Sequence, residues 1–446
     1  MHYRWPARTV TDYFSRIDTQ LVLDSSKIVF DITCAEITKR FRAEYTIRPT
    51  FDRIFDQLPN CPDSPKLRHW VSVSRSLLRS RLQASDPEPR FVAHFHVDSL
   101  EESRVTDLHS LRALEITLEE AIRSGRPFLW EDPKLLSPPA FSVWGHGTFH
   151  ADQPSPGFRV ALTDSQLKIG FGSSAAELDI SRSRTSGSAD VAFRSTILVN
   201  TVAGQFVCPV DVMGLADCSH SNAPVVRTMN ALRPWTGTLS SAVALLHSQD
   251  AELASDCHKL APAVLALHTG GTSYGSSSPE ELAGLVFLPG ILDTHDVAEC
   301  LLHESLHQKL FRLEQSASLF TGETGDLEAY YSPWRSDPRP LRMLMHGAYV
   351  FAGVSNMWTR LAMKTPNDSD RENASFHAYY RAQQCSAALD IVEKYDTLTP
   401  VGTKVARIVR TGIDDALSDL CVSTAVRDET RERLAAHRNR FGHHRH

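Results

Sequence analysis

Residues 295–316 contain neither proline nor glycine, and His303-Glu304-Ser305-Leu306-His307 stands inside this run. Val297, Leu301 and Leu310 are spaced for one apolar face, which predicts a long helix opened by Asp293 or Thr294 as its cap. Just ahead lies Leu285-Val286-Phe287-Leu288, a short apolar run bounded by Gly284 and Pro289 that reads as a strand. A strand feeding a long helix is therefore the element around which the C-terminal half has to be built.

The rest of the chain divides by periodicity. Residues 226–446 are mainly helical, with apolar positions at helical spacing in Leu239, Val243, Leu246 and in Val405, Ile408, Val409, Ala416, Leu420. Residues 158–225 carry short apolar runs, such as Phe158–Leu162 and Leu167–Phe171, punctuated by Gly, Ser and Asp, which predicts an antiparallel sheet. Residues 1–157 are mixed: one helix through Leu108, Leu111, Leu114, Leu118 and Ile122 should stop at Gly125, and the Pro-rich stretch 133–157 reads as a connector. The expected class is α+β, with three regions at 1–157, 158–225 and 226–446.

Composition narrows the function. At 446 residues and 42% hydrophobic side chains there is ample material for a core. The balance of 47 basic against 53 acidic residues, a net charge of −6, offers no general attraction to nucleic acid or a membrane surface. The 8 cysteines include no C-x-x-C pair, so they are expected to be reduced thiols, not a zinc ribbon or disulfide framework. The opening Met1-His2-Tyr3-Arg4-Trp5-Pro6 lacks a charged-then-apolar layout, and no run approaches the ~18 apolar residues of a span, so the expectation is a soluble, cytoplasmic protein.

H-E-x-x-H on a helix puts two imidazoles on one face, where both reach one metal, while Glu304 can approach a metal-bound water. The bland alternative is a pair of histidines on a solvated face. For a third ligand, Glu323 and Glu328 precede a Tyr-rich loop, whereas His346 lies on a helix expected to start at Pro340. Its alternative is a hydrogen-bonded core histidine. Arg335 and Arg339 stand at that helix start, where the dipole disfavours them, so one could grip a carboxylate while the other pairs with Asp337. Arg339, seven residues before His346, should project from the same helical face. A second metal pattern, His96-Val97-Asp98, is the H-x-D pair of a cupin-type triad, but a helical C-terminal half does not suit that fold. Trp144-Gly145-His146-Gly147 and the terminal His443-His444-Arg445-His446 read as a loop and a solvated tail.

Taken together, His303-Glu304-x-x-His307, Tyr330-Tyr331-Ser332-Pro333-Trp334-Arg335-x-Asp337-Pro338-Arg339-Pro340-Leu341 and His346-Gly347-x-Tyr349-x-Phe351-x-Gly353-Val354 resemble the H-E-x-x-H peptide β-hydroxylases. The likeness spans residues 280–361 and does not extend to 1–225. It implies an Fe(II)- and 2-oxoglutarate-dependent dioxygenase acting on a ribosomally made precursor peptide. Metal would sit on His303, His307 and His346, 2-oxoglutarate would sit near Arg339 or Arg335, and Glu304 would be a supporting group or extra ligand. Leu285, Val286, Phe287 and Leu288 are candidates to pair with an extended substrate, because a strand before such a helix can offer a free edge, with an ordinary buried strand as the alternative. Two alternatives stand beside this reading: a zinc peptidase with Glu304 as general base, and a metal-free peptide-binding module.

Overall fold

The computed structural model describes residues 17–44, scattered positions between 54 and 75, and 102–136, 140–143, 147–150, 156–171, 174–179, 184–187, 191–193, 196–209, 229–268, 275–290, 293–322 and 330–442. Helix α1 (Thr19–Glu44) is followed by α2 (Glu102–Arg123). The latter ends where the sequence predicts: Gly125 takes φ +63°, Arg126 N–H bonds to Ala121 O and Gly125 N–H to Ile122 O, the paired closure of a Schellman motif.

Ten strands come next: β1 (Phe128–Leu136), β2 (Ala140–Val143), β3 (Gly147–His150), β4 (Pro156–Thr163), β5 (Gln166–Phe171), β6 (Ser174–Asp179), β7 (Arg184–Gly187), β8 (Val191–Phe193), β9 (Thr196–Thr201) and β10 (Gly204–Pro209). Strands β1-β4-β5-β6-β7 form an antiparallel sheet and β2-β3-β8 a smaller one. The stretch expected as a connector thus carries the end of β1 together with β2 and β3. Pro133 does not prevent this, because the register between β1 and β4 shifts between Asp132 and Leu136, where a residue without an N–H costs no ladder bond.

The helical half comprises α3 (Met229–Gln249), α4 (Ala251–Leu260), β11 (Ala263–Leu267), β12 (Leu285–Pro289), α5 (Thr294–Ser316), α6 (Leu341–Lys364), α7 (Asp368–Lys394), α8 (Pro400–Asp419) and α9 (Thr424–Gly442). The class is α+β, with a mainly helical C-terminal half. The strand before α5 belongs to a mixed four-stranded sheet, β12-β11-β10-β9, in which β10, β11 and β12 run parallel.

Buried side chains form two cores. Phe158–Leu178 of the antiparallel sheet pack with Cys34, Trp70, Leu111 and Leu114, whereas Val199, Phe206 and Cys208 join the helical core. The 158–225 segment is therefore shared between them. In the second core α5 packs against α1, α3, α4, α6 and β12, and Val297, Leu301 and Leu310 are fully buried. Among the described residues no helix is long and apolar enough to cross a membrane.

Candidate metal centre

Helix α5 opens on Asp293, whose carboxylate accepts from the N–H groups of His295 (2.9 Å) and Asp296 (3.0 Å). Two and a half turns later His303 and His307 meet, Nε2 to Nε2, at 3.2 Å. Two imidazoles on a common metal, each about 2.0–2.1 Å from it, bring their nitrogens roughly 3 Å apart, so the pair fits a metal ion. Burial pushes the His303 pKa down and that of His307 well down, which keeps both rings in the neutral form that ligates. Phe351 of α6 packs edge-on against His303 at 4.6 Å between centroids.

Glu304 is buried beside them, with Oε1 3.9 Å from His303 Nε2. Its two oxygens accept from Ser276 Oγ and Ser278 Oγ, each at 2.6 Å. Period two explains the pair: Ser277 bridges Phe287 of β12, so its neighbours on both sides turn their hydroxyls to the opposite face. His303, Glu304 and His307 bring ligand atoms within 4.8 Å of one another, the one such group among the described residues.

His346 is fully buried and close by, but it meets the other side of the His307 ring. Its Nδ1 lies 3.3 Å from His307 Nδ1, and its Nε2 lies 2.8 Å from Glu314 Oε2. Glu314 is gripped in turn by Arg342, through Nε at 3.0 Å and Nη2 at 2.8 Å, and Arg342 Nη2 also reaches Glu280 at 3.0 Å. Burial would raise the Glu314 pKa, but hydrogen bonds from His346 and Arg342 hold it below the usual carboxylate range.

The edge of the strand Leu285–Leu288 is not free. All four residues are buried, and on the side away from β11 the backbone is taken. Phe287 exchanges both hydrogen bonds with Ser277 (3.0 and 2.8 Å), Leu285 O accepts from Gln308 Nε2 (3.4 Å), and Pro289 O from Trp235 Nε1 (3.0 Å). The chain's own 275–279 segment fills the place proposed for a peptide.

The arginine geometry also differs from expectation. Pro340 is the N-cap and not the first helical residue, so Arg339 lies outside α6. Its backbone pairs with Tyr330 (2.8 and 2.9 Å), which removes the two-turn relation to His346. Arg335 Nε and Arg339 Nη2 both reach Asp337, at 3.2 and 2.8 Å. Arg335 is 60% exposed, whereas Arg339 keeps a buried Nε with no hydrogen-bond partner.

A guanidinium that the motif did not predict is nearer the histidines. Arg381 of α7 lies 4.6 Å over the Phe351 ring, donates to Glu299 at 2.8 Å, and helps lower the His303 pKa. Trp334 stacks on Phe351 at 5.1 Å and lies against Gly347, where a Cβ would meet its ring at 2.7 Å. Glu323, Glu328, His96, Asp98, Trp144–His146 and His443–His446 lie outside the described residues.

No protein-family model matches the chain, and no curated protein is similar enough to count as a relative.

Proposed function

We propose that the protein is an Fe(II)- and 2-oxoglutarate-dependent oxygenase that hydroxylates the β-carbon of a residue in a ribosomally synthesised peptide. The observation that carries this reading is the 3.2 Å Nε2 pair of His303 and His307 with a buried carboxylate beside it. Two histidines and one carboxylate with open positions make the donor set of non-haem iron oxygenases. Glu304 supplies the carboxylate, since each oxygen accepts one serine hydroxyl and keeps a free lone pair. Bound iron would couple oxidative decarboxylation of the cosubstrate to insertion of one oxygen atom, so that peptide, dioxygen and 2-oxoglutarate give hydroxypeptide, succinate and carbon dioxide.

The chain's own work is placement. Arg339, with its spare buried Nε, is the proposed partner of the cosubstrate's distal carboxylate. Arg381 is the second choice, favoured by its charge being felt at His303. Phe351 and Trp334 wall the site with apolar surface that keeps water from the metal face.

A zinc peptidase on the same helix is the competing reading. There Glu304 must take a proton from a metal-bound water and pass it on. The two hydroxyls of Ser276 and Ser278 fix both its oxygens, which suits a static ligand better than a proton carrier. The test is anaerobic reconstitution with Fe(II), 2-oxoglutarate and candidate peptides, followed by air. Succinate release with gain of one oxygen in peptide mass is expected. Peptide cleavage with Zn(II), and no succinate with iron, would overturn the proposal.

A further inference from the structure

We infer that His346 is a positioning residue that fixes the tautomer of His307 through a chain running Glu314–His346–His307, and that it does not itself ligate the metal. This rests on His303 and His307 being metal ligands, and it departs from the three-histidine ligand set that the sequence resemblance implies.

Proton accounting along the chain leads to it. Ionised Glu314 can only accept, so the 2.8 Å contact requires His346 Nε2 to carry a hydrogen and donate it. A neutral His346 then has a bare Nδ1, and this nitrogen faces His307 Nδ1 at 3.3 Å. That contact is a hydrogen bond when His307 Nδ1 carries the hydrogen, which leaves His307 Nε2 as a lone pair. Nε2 is the atom that meets His303 Nε2 at 3.2 Å. With a single ring hydrogen on His346, the hydrogen-bond geometry starting at the carboxylate delivers the ligating tautomer at the metal face.

The rest of the geometry supports support rather than ligation. Phe311 packs against His346 at 4.9 Å and against His307 at 5.9 Å, so the two rings share one apolar wall. The Arg342 fork holds both oxygens of Glu314, with Nε and Nη2 engaged, and shares Oε2 with His346. Were His346 to join the metal, its Nδ1 would have to leave His307 Nδ1 and pass the ring to reach the Nε2 side. Glu314 stands seven residues after His307 on α5 and Arg342 four before His346 on α6, so each shares a helical face with the histidine of its own helix.

The experiment counts imidazoles on Co(II) bound to the full-length protein, by X-ray absorption, together with Co(II) affinity and helical circular dichroism. His307→Ala should lose one imidazole. His346→Gln should lose none, while its Co(II) affinity falls about 10–100-fold. Glu314→Gln should behave like His346→Gln in both readouts, and it keeps the test decisive if the histidine variant misfolds. Loss of one imidazole in His346→Gln, or unchanged affinity in both variants, would overturn the inference. Failure of the metal reading itself looks different: the wild type binds no Co(II), or His303→Ala binds it unchanged.

Discussion

Both halves of the molecule bury charge or potential charge on helices, and they resolve it in opposite ways. Beside α2, Lys66, Arg112 and Glu115 have fully buried side chains; Arg112 pairs with Glu115, and Lys66 with Glu115 and Glu119, so two cations meet two anions. In the helical half the Nε2 atoms of His303 and His307 meet at 3.2 Å, and the carboxylate of Glu304 beside them is held by two serine hydroxyls. The first cluster sets two anions against two cations. The second gathers two imidazoles and a carboxylate around a place where a cation could sit, and that difference is what the proposed metal site rests on.

The largest effect should come from breaking the first cluster. Glu115→Ala takes from Arg112 its buried carboxylate and leaves Lys66 to Glu119, a change that costs about 3–5 kcal/mol when a buried pair loses one member. Chemical denaturation should show it, with Co(II) binding by the remaining folded fraction unchanged. The second cluster carries no such penalty: His303→Ala removes a neutral ring, and the expected loss is in metal affinity more than in stability.

Acid should separate the two regions next. His303 is held below and His307 well below the ordinary histidine range by burial, so the unfolded chain takes up protons through about pH 6.5 while the native site does not. Stability of the metal-free protein should therefore fall as the pH drops below about 6.5, by about 1.4 kcal/mol per pH unit for each histidine still neutral in the native state. Denaturation midpoints from pH 7 to 5, compared with a His303→Phe, His307→Leu double variant, test this. An equal slope in the double variant would place the acid sensitivity elsewhere.

A smaller loss is expected at Gly347→Ala. The new Cβ would meet Trp334 at 2.7 Å, and Trp334 is the ring stacked on Phe351 beside His303. Overpacking of this kind costs about 1–3 kcal/mol, and here the aromatic wall moves with it. Tryptophan fluorescence and the Co(II) absorption spectrum should both shift.

The legible parts of this site were those with local rules. Asp293 as cap, the uninterrupted α5 and the strand at 285–288 follow from side-chain type and spacing, and so does the meeting of His303 with His307. What the sequence hid is tertiary. Glu314 is one acid among many in a helix, and nothing local says that it faces His346 on another helix. Ser276 and Ser278 sit in a Ser/Gly-rich run that looks like a loop; their alignment on Glu304 depends on Ser277 pairing with Phe287, a contact that also closes the edge of β12. Pro133 marked a connector until the register shift made room for it inside β1.

The smallest expected effect separates the two arginines of the motif, of which the spacing favoured Arg339. Arg335 is 60% exposed and its pair with Asp337 is at the surface, where such pairs contribute about 0–1 kcal/mol. Asp337 keeps Arg339 at 2.8 Å when Arg335 is removed, so even its electrostatic partner is not stranded. Arg335→Ala should leave stability within about 0.5 kcal/mol of the wild type and leave the 2-oxoglutarate concentration needed for half-maximal succinate release unchanged. Arg339→Lys keeps the charge but loses the planar fork and the buried Nε donor, so it should raise that concentration while peptide affinity stays the same. If both variants leave the cosubstrate requirement unchanged and Arg381→Lys raises it, the carboxylate belongs on α7, beside Phe351 and the metal face, and the arginine loop serves only to hold Trp334 in place.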